Sequence, residues 1–294
     1  MTVPNMRGPL NEKLQYITAD GVVHNLHNPP DRVVIHQQGW GKPEQSISTT
    51  TAPYQHGATP ISYRFQPRSI SVLMRHNEFT RQGYWTLRSN LLDTLGIQRT
   101  DPNKPETGTL RRIYLENGQV VRRDLKVFLD EGLIYNEPNG DWDHFSVQEE
   151  LRFIAHDPLI YDPTLHTVTL EEGQQIITYT GSFEAYPIFT VRGPVTNLQI
   201  RNLSTGGMVS LTGASGYPIA AEATVVIDTT PGQRSILLNG YTSLIGYLSS
   251  DSFFPGMCLR PHPRLTNGLN NISVAFSAGS PTITMTYYNT YLGI

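Results

Sequence analysis

Apolar and polar residues alternate along most of the chain in the period-two pattern that is typical of β-strands. The clearest case ends at Phe153, and its apolar side chains occupy odd positions: Phe145, Val147, Leu151 and Phe153. Two Asp-Pro steps follow at 157–158 and 162–163. Because proline cannot donate to a β-ladder and keeps the preceding residue extended, these steps predict the end of the strand and a stiff hinge to a second domain.

Shorter alternations before this stretch predict strands at 14–17, 33–35, 61–65, 70–74 and 125–129. A hairpin is predicted over 110–121, because Asn117-Gly118 between apolar runs suits a turn with two positive φ angles. Helical spacing predicts one helix near 81–95, with apolar positions at Tyr84, Leu87, Leu91 and Leu95. One helix among at least six strands, without βαβ alternation, indicates an α+β first domain over residues 1–163 in a mostly β protein.

The second half of the chain contains no stretch with helical periodicity. Short strands are predicted at 168–170, 176–179, 187–191, 198–200, 208–211, 223–227, 235–238, 272–276 and 283–287. Turn-forming glycine, proline and asparagine residues separate them, as at Pro231-Gly232 and Asn239-Gly240. This spacing predicts a β-sandwich or jelly roll over residues 164–294.

Charge divides the chain in the same place. Residues 1–163 contain 36 charged side chains and residues 164–294 only 11, so we expect a Ser-, Thr- and Asn-rich surface on the second domain. The net charge of −3 gives no electrostatic reason to expect nucleic-acid binding. One cysteine, Cys258, excludes an intrachain disulfide, and no apolar run approaches the length of a membrane span. We therefore expect a soluble protein that does not insert into membranes.

Candidate catalytic and metal sites are few, and each has a simpler explanation. Gly41-Lys42 lacks the upstream glycine and the Ser/Thr of a phosphate-binding loop, so it predicts a tight turn near Trp40. Residues 213–216 are one residue short of a nucleophile elbow and lie in the half without helices. Glu149 and Glu150 are neighbours in a strand, so their side chains point to opposite faces and do not form an acid/base pair.

Possible metal ligands are explained more simply as solvated residues. Asp141, Asp143 and His144 directly follow Asn139-Gly140 and favour a solvated turn over a cation site, because a hard cation needs about six oxygen ligands. His24 and His27 lack the helix that would bring both onto one metal ion. The sequence therefore predicts no catalytic residues, no metal and no cofactor.

Several short motifs, in this order, carry a resemblance to a known family. The chain resembles the distal tail (Dit) proteins of long-tailed siphophages, which are hub proteins of the tail tip. The motifs that match are Pro67-Arg68-Ser69-Ile70 before the helix, the hairpin at 110–121, the strand ending in Phe153, Ala155, Asp157 and Pro158, Asn197 to Ile200, Ile227-Asp228, Phe254-Pro255-Gly256 and Tyr287-Tyr288. The segment 29–60 is longer and more polar than the family pattern.

The resemblance implies a structural function. It implies a homo-hexameric ring built by the first domains and stacked below the last ring of tail tube protein. It also implies a galectin-like second domain that points outward, and a tip or tail-associated lysin protein attached below. Such a chain would be found in the virion tail tip and, during assembly, in the host cytoplasm.

Two other classes of function stay open. A β-sandwich with exposed aromatic residues is also a frame for carbohydrate-binding receptor-recognition proteins, and Tyr217, Tyr241 and Tyr247 are the candidate contacts with a sugar or partner. A glycan-cleaving enzyme is disfavoured because no plausible carboxylate pair is found. For the ring interface the candidates are Trp40 and Trp142, whereas core packing is favoured for Trp85.

Overall fold

The structure, a computed structural model, describes residues 12–54, 56–78, 80–95, 107–135, 145–213 and 217–294. The chain divides into two compact units, the first comprising Met1–Tyr161 with Leu292–Ile294 and the second comprising Asp162–Tyr291. The polypeptide thus passes between the units twice, after Tyr161 and after Tyr291. The sequence contains no sign of the second passage, because three residues are too few to show any periodicity.

Antiparallel strands make up most of the first unit. Its elements are β1 (Glu12–Ile17), β2 (Val23–Asn25), β3 (Arg32–Gln38), β4 (Gln45–Thr50), β5 (Thr59–Phe65), β6 (Arg68–Glu78), α1 (Arg81–Leu95), β7 (Gly108–Glu116), β8 (Gln119–Tyr135) and β9 (Phe145–Ala155). A further strand, β10 (Ile160–Leu170), begins in the first unit and continues in the second.

Strand β8 belongs to two ladders of the first unit. Its first half pairs with β7, which continues through β1 to β2, and its second half pairs with β9, which continues through β6 to β3. The two ladders share a core in which Tyr16 of β1 stacks on Phe153 of β9 with 6.0 Å between ring centroids. The sequence predicted separate strands at 120–121 and 125–129. That prediction is wrong, because the polar run Arg122 to Asp124 stays extended and pairs with β7.

The predicted Asn-Gly hairpin and helix are confirmed. Asn117 and Gly118 have φ angles of 50° and 76° and join β7 to β8. Helix α1 begins after Thr80, whose hydroxyl accepts a hydrogen bond from the Gly83 N–H at 3.0 Å and so caps the helix. The face of the helix that packs on the sheet consists of Tyr84, Leu91 and Leu95. Gly96, the predicted carboxyl-terminal cap, lies outside the described residues.

A buried carboxylate also holds the helix to the sheet. Glu149 of β9 is fully buried, and its Oε1 accepts hydrogen bonds from the Tyr84 hydroxyl at 2.7 Å and from Arg88 Nε at 2.8 Å. His76 of β6 is also fully buried, with Nε2 3.1 Å from Glu149 Oε2. Burial by itself raises the pKa of Glu149, but the nearby His76 and the hydrogen bonds from Tyr84 and Arg88 outweigh it, so the pKa lies below 4.5.

Two sequence predictions in the first half need correction. Pro163 was expected to stop a strand, yet it lies within β10, because proline fits extended backbone wherever no neighbour needs its missing N–H. Trp85 was expected in the core, yet its side chain is exposed, since it is next to Tyr84 on the helix and points away from the sheet. The Arg88 guanidinium lies 5.5 Å from the centre of the Trp85 ring.

All nine strands predicted for the second half are present. The strands of the second unit that follow β10 are β11 (Gly173–Thr178), β12 (Ile188–Arg192), β13 (Val195–Thr196), β14 (Gln199–Asn202), β15 (Gly207–Ser210), β16 (Pro218–Ile219), β17 (Thr224–Asp228), β18 (Ser235–Leu238), β19 (Thr242–Ser243), β20 (Leu269–Ala275), β21 (Ala278–Gly279) and β22 (Thr282–Tyr291).

The second unit is built from sheets that share one hydrophobic core. One sheet has the order β19-β18-β17-β12-β22 and continues to β10, and another has the order β11-β20-β14-β15. Alternate residues of both sheets point into the core, among them Phe189 of β12, Ile200 of β14 and Met285 of β22. Tyr287 is buried in the same core. The predicted mostly β fold is therefore confirmed, while a specifically galectin-like arrangement stays a prediction.

Candidate functional site: the Arg68 junction and the exposed hairpin

Arg68 is a buried cation at the start of β6, with only 4% of its surface exposed. Its guanidinium donates to the carbonyl oxygens of Gly39 (3.0 Å), Gly41 (2.6 Å), Pro158 (2.8 Å) and Leu292 (2.6 Å). Three separate chain segments, all in the first unit, therefore converge on one side chain. We call these residues the Arg68 junction.

Glycines make the close approach at the junction possible. Gly39 has a φ angle of 95°, and a Cβ there would lie 2.1 Å from the Ser69 carbonyl oxygen. Gly293 packs against Gly41, and a Cβ added to Gly293 would lie 2.9 Å from the carbonyl carbon of Gly41. The Ile294 N–H donates to the Trp40 carbonyl oxygen at 3.1 Å. The last three residues of the chain are thus fixed along the segment 40–42.

The electrostatics of the junction are unusual for an arginine. Burial lowers the pKa of Arg68 to about 10, and the nearby negative charge of Asp157 opposes this shift. Arg68 therefore remains charged at neutral pH. Its hydrogen bonds go to backbone carbonyls, and Asp157 itself accepts from the Leu159 N–H and the Tyr161 hydroxyl. The arrangement satisfies carbonyl groups that regular secondary structure leaves unpaired, which suits a structural anchor.

Trp40, one of the predicted interface residues, lies beside this junction. Its side chain is only 3% exposed, and the Arg112 guanidinium lies 5.7 Å from its ring centre. Arg112 in turn forms a 2.7 Å ion pair with Glu12. In the single chain Trp40 offers almost no surface to a partner, so its place in a ring interface stays a prediction. The other candidate, Trp142, lies outside the described residues.

The segment between the junction and β6 folds as a separate hairpin, β4–β5. The two strands pair with each other as a two-stranded sheet, and the Gln66 N–H donates to the Glu44 carbonyl oxygen at its base. Strands of six and seven residues extend about 20 Å. Nearly every residue of both strands is exposed, so neither face of this sheet is covered.

The two faces of the hairpin differ in chemistry. Ile47 pairs directly with Tyr63, and these two side chains are 57% and 52% exposed. Ile61 is 67% exposed and lies where the register shifts between Ser62 and Pro60. Phe65 contacts Tyr63 edge to face with 5.7 Å between ring centroids, which places both rings on one face. Ser48 pairs with Ser62 on the opposite face. The hairpin is thus amphipathic, and its apolar face is exposed to solvent.

The hairpin is also almost free of charge. Between Gln45 and Phe65, Arg64 is the only Lys, Arg, Asp or Glu, although the first half of the chain is rich in charged residues. At the base, Lys42 Nζ donates to the Gln45 side chain at 3.2 Å. The Gly41 carbonyl oxygen accepts a hydrogen bond from Arg68, and the tight turn at Gly41-Lys42 stays a prediction.

The structure brings two of the three predicted tyrosines of the second unit together. The rings of Tyr217 and Tyr247 are tilted against each other with centroids 4.5 Å apart. Tyr241 is 79% exposed and follows Gly240 in the turn between β18 and β19. Tyr247 is also exposed, at 38%. Contact with a sugar or a partner stays a prediction for all three.

The other candidate residues show no catalytic arrangement. His27 Nδ1 accepts a hydrogen bond from the Val34 N–H at 3.2 Å, which gives this histidine a backbone partner. Asp141, Asp143, His144 and Ser215 lie outside the described residues. Among the residues that are described, no three His, Cys, Asp or Glu side chains form a group that could hold a metal ion. In the same part of the chain, no helix has both the length and the apolar character needed to span a membrane.

Comparison with known proteins identifies a fold and no sequence family. No protein-family model matches the chain, and no curated protein sequence matches it significantly. Solved structures do match over nearly the whole length. The class that the fold defines is therefore a chain of two mostly β units, with a single long helix in the described part.

The particular fold is that of the Dit protein of phage SPP1. Its crystal structure, described as a paradigm of the hub adsorption apparatus in phages that infect Gram-positive bacteria, covers 94% of this chain and 98% of that chain, with a TM-score of 0.63 and 12% identity. Two structures of the phage p2 baseplate in its activated conformation, with Sr and with Ca, each cover 94% of this chain and 97% of theirs, at 9% identity and TM-scores of 0.46 and 0.44.

Sequence reasoning missed the roles of three features. Arg68 was noted as part of a motif, but its carbonyl partners lie up to 224 residues away. Glu149 shares the parity of Leu151 and Phe153, and this could have marked it as a buried carboxylate. Strand β5 was predicted at 61–65, but its partner β4 was not, because the alternation in β4 is carried by Ile47 alone.

Proposed function

We propose that this chain is a structural hub protein of a phage tail tip, which forms a hexameric ring joining the tail tube to the tip and receptor-binding apparatus. The observation that carries the proposal is the shared fold with the SPP1 Dit protein, which extends over nearly all of both chains. A fold alone does not define a function. Here, however, the match extends over both units of one chain. In addition, the Arg68 junction holds backbone segments together through their carbonyl oxygens, which is a structural role.

The proposal includes partners and a location. The first unit builds the ring, the tail tube protein binds on one side, and the tip or tail-associated lysin protein binds on the other. The chain is then part of the virion tail tip and is present in the host cytoplasm during assembly. It acts without catalysis, cofactor, nucleic acid or membrane insertion. The exposed apolar face of the first unit supports this role, because exposed apolar patches of this kind mark protein interfaces.

Native mass spectrometry of the purified full chain, combined with negative-stain class averages, tests the proposal. We expect a closed ring with six times the chain mass of 32.9 kDa. Open filaments would show that the subunits associate head to tail without closing. Filaments, or a chain that stays monomeric even when mixed with its tail tube protein, would contradict the hub function.

Carbohydrate recognition by the second unit is the alternative function. The observations in its favour are the contact between Tyr217 and Tyr247 and the exposure of Tyr241. Tyrosine rings can stack on a pyranose, although this unit contains no tryptophan, the residue that most often does so. Titration of the full chain with host cell-wall saccharides tests this function. Saturable binding in the micromolar range that is abolished by Tyr241→Ala would support it, and the absence of saturable binding would exclude it.

A further inference from the structure

The amphipathic hairpin β4–β5 requires a partner that the single chain does not supply. A two-stranded hairpin is at best marginally stable in water unless its apolar face packs against something. Ile47 and Tyr63 on this face are each more than half exposed. The contrast with the sheets of the same unit is clear, because there Ile70, Val72 and Met74 of β6 and Leu151 and Phe153 of β9 are fully buried.

The composition of the hairpin indicates what kind of partner covers it. One charged residue, Arg64, in 21 positions is too few for a segment that remains permanently in water. Depletion of charge with enrichment of aromatic and aliphatic side chains is the composition of an interface core between proteins. Glycan contacts would need several amide and charged groups arranged around an aromatic ring, whereas the strand register places one amide, that of Gln45, on the apolar face.

The same unit exposes apolar strand surfaces of the matching kind. Val22 and Val23 are exposed beside β2, and Leu115 and Val120 form an exposed cross-strand pair at the end of the β7–β8 hairpin. Strands β2 and β3 each have one neighbour among the described strands, so each has a free edge there. One molecule therefore carries both a projecting apolar arm and apolar surfaces with free strand edges that can receive an arm.

A donor surface and a different acceptor surface on one chain give a heterologous, head-to-tail contact between identical molecules, which closes into a ring if the rotation permits. We infer that the hairpin β4–β5 is the donor arm of the contact between subunits and lies with its Ile47–Tyr63 face on a second copy of this chain. This inference rests on the proposed ring and specifies the surface that builds it. The Arg68 junction fixes the base of the arm, since Arg68 holds the Gly39 and Gly41 carbonyls just before β4.

Two neighbouring substitutions on β4 provide a matched test. Ile47→Lys places a charge on the apolar face, and Ser48→Lys places the same charge one residue further, on the polar face. Both positions are exposed, so neither change should affect folding, and far-UV circular dichroism checks this. We expect Ile47→Lys to raise the concentration at half assembly at least about tenfold, while Ser48→Lys assembles like the unmodified chain. Tyr63→Ser, which introduces no charge, should act in the same direction as Ile47→Lys.

The outcomes separate the inference from the proposed function. If Ile47→Lys and Tyr63→Ser form rings as readily as the unmodified chain, the hairpin inference fails and the ring proposal stands. If the unmodified chain forms closed dimers that Ile47→Lys dissociates, the hairpin contacts a second copy and the ring proposal fails. A chain that is monomeric up to about 100 μM overturns both. Binding of the hairpin to another tail protein in place of a second copy also overturns the inference.

Discussion

The two units bury polar groups by different chemical means. In the first unit the buried polar side chains are mostly ionisable, namely Arg68, His76, Arg123 and Glu149, with Thr18 as the neutral member. In the second unit every buried polar residue described is neutral: Asn202, Ser210, Thr229, Asn270, Asn289 and Thr290. A buried charge is costly unless it is paired, whereas a buried amide or hydroxyl needs only its hydrogen bonds.

The two units should therefore differ in how strongly mutation and pH change their stability. Asn270 is an example of a buried neutral group whose hydrogen bonds are satisfied. Its Nδ2 donates to the Arg260 and Gly268 carbonyl oxygens, and its Oδ1 accepts from the Arg260 N–H at 2.8 Å. No proton needs to be gained or lost for this network to form. The first unit depends instead on the charge states of Arg68 and Glu149. We therefore expect mutation of buried charges and acidification to act mainly on the first unit.

The largest effect is expected from Arg68→Met, which keeps much of the side-chain volume but removes all donors to the carbonyl oxygens of Gly39, Gly41, Pro158 and Leu292. Unsatisfied buried acceptors cost about 1–3 kcal/mol each, and partial rehydration should limit the total loss of stability to about 3–5 kcal/mol. Hydrogen exchange with mass spectrometry should show faster exchange in residues 39–42 and 292–294.

Arg192→Met in the second unit is the matched control. Arg192 is largely exposed and pairs with the exposed Glu222, so its removal should change the free energy of unfolding by less than about 1 kcal/mol. Equal losses for Arg68→Met and Arg192→Met would show that the Arg68 junction has no special importance for stability.

The second largest effect is expected from Glu149→Gln. The substitution keeps the shape but removes the charge that holds His76 and Arg88, and the loss of one partner from a buried ion pair costs about 3 kcal/mol. Chemical denaturation measures this difference. Glu150→Gln, one residue along on the opposite face, is the control, because Glu150 is partly exposed and should contribute less than about 1 kcal/mol. A control as destabilising as Glu149→Gln would contradict the role of burial.

Acidification should affect the first unit before the second. The groups around the Glu149 carboxylate are His76, Tyr84 and Arg88, and together they lower its pKa below 4.5. A lowered pKa in the folded state means that the stabilisation is fully present above the unfolded value of 4.5 and is lost as pH falls below it. Hydrogen exchange across this range should show α1 and β9 opening first. Retention of that protection at low pH, or earlier opening of the second unit, would contradict the prediction.

The smallest effect is expected in the second unit, from Tyr179→Phe. The Tyr179 hydroxyl donates to the Phe183 carbonyl oxygen at 2.7 Å and accepts from the Thr290 N–H, so its loss should cost about 1–2 kcal/mol. Burial raises the pKa of Tyr179 to about 12 from 10.0. Its contribution is therefore fully present below pH 10.0 and is lost as pH rises through about 12. The difference in unfolding temperature between Tyr179→Phe and the unmodified chain should therefore be smaller above pH 10.0 than at pH 7.

Local patterns predicted the secondary structure well because their causes are local. Asn117-Gly118 fixed a turn because few other residue pairs accept two positive φ angles. Tyr84, Leu91 and Leu95 identified the buried face of α1 because helical spacing places them on one side. The nine strands of the second half followed from alternation between turn residues. Where the local signal conflicted with long-range pairing, as at Arg122 to Asp124 in β8 and at Pro163 in β10, pairing with neighbouring strands decided the result.

The candidate site was predictable only in part. The exposed tyrosines of the second unit were named from sequence, but the contact between Tyr217 and Tyr247 depends on two loops meeting. Trp85, for which core packing was favoured, is exposed, and Trp40, a candidate for the ring interface, is buried in the single chain. Tryptophan suits both cores and interfaces, so its type alone does not distinguish between them.

By itself the sequence determined the mostly β class, the position of the one helix, and the charge contrast between the two halves, because each depends on residue type and spacing within a short window. Only the tertiary structure decided that Leu292 returns to the first unit, that Arg68 binds four carbonyl oxygens and that Ile47 and Tyr63 remain uncovered. The physical reason is that backbone carbonyls are identical at every position. Which of them a buried arginine meets, and which apolar face stays exposed, depends on contacts between residues far apart in the chain.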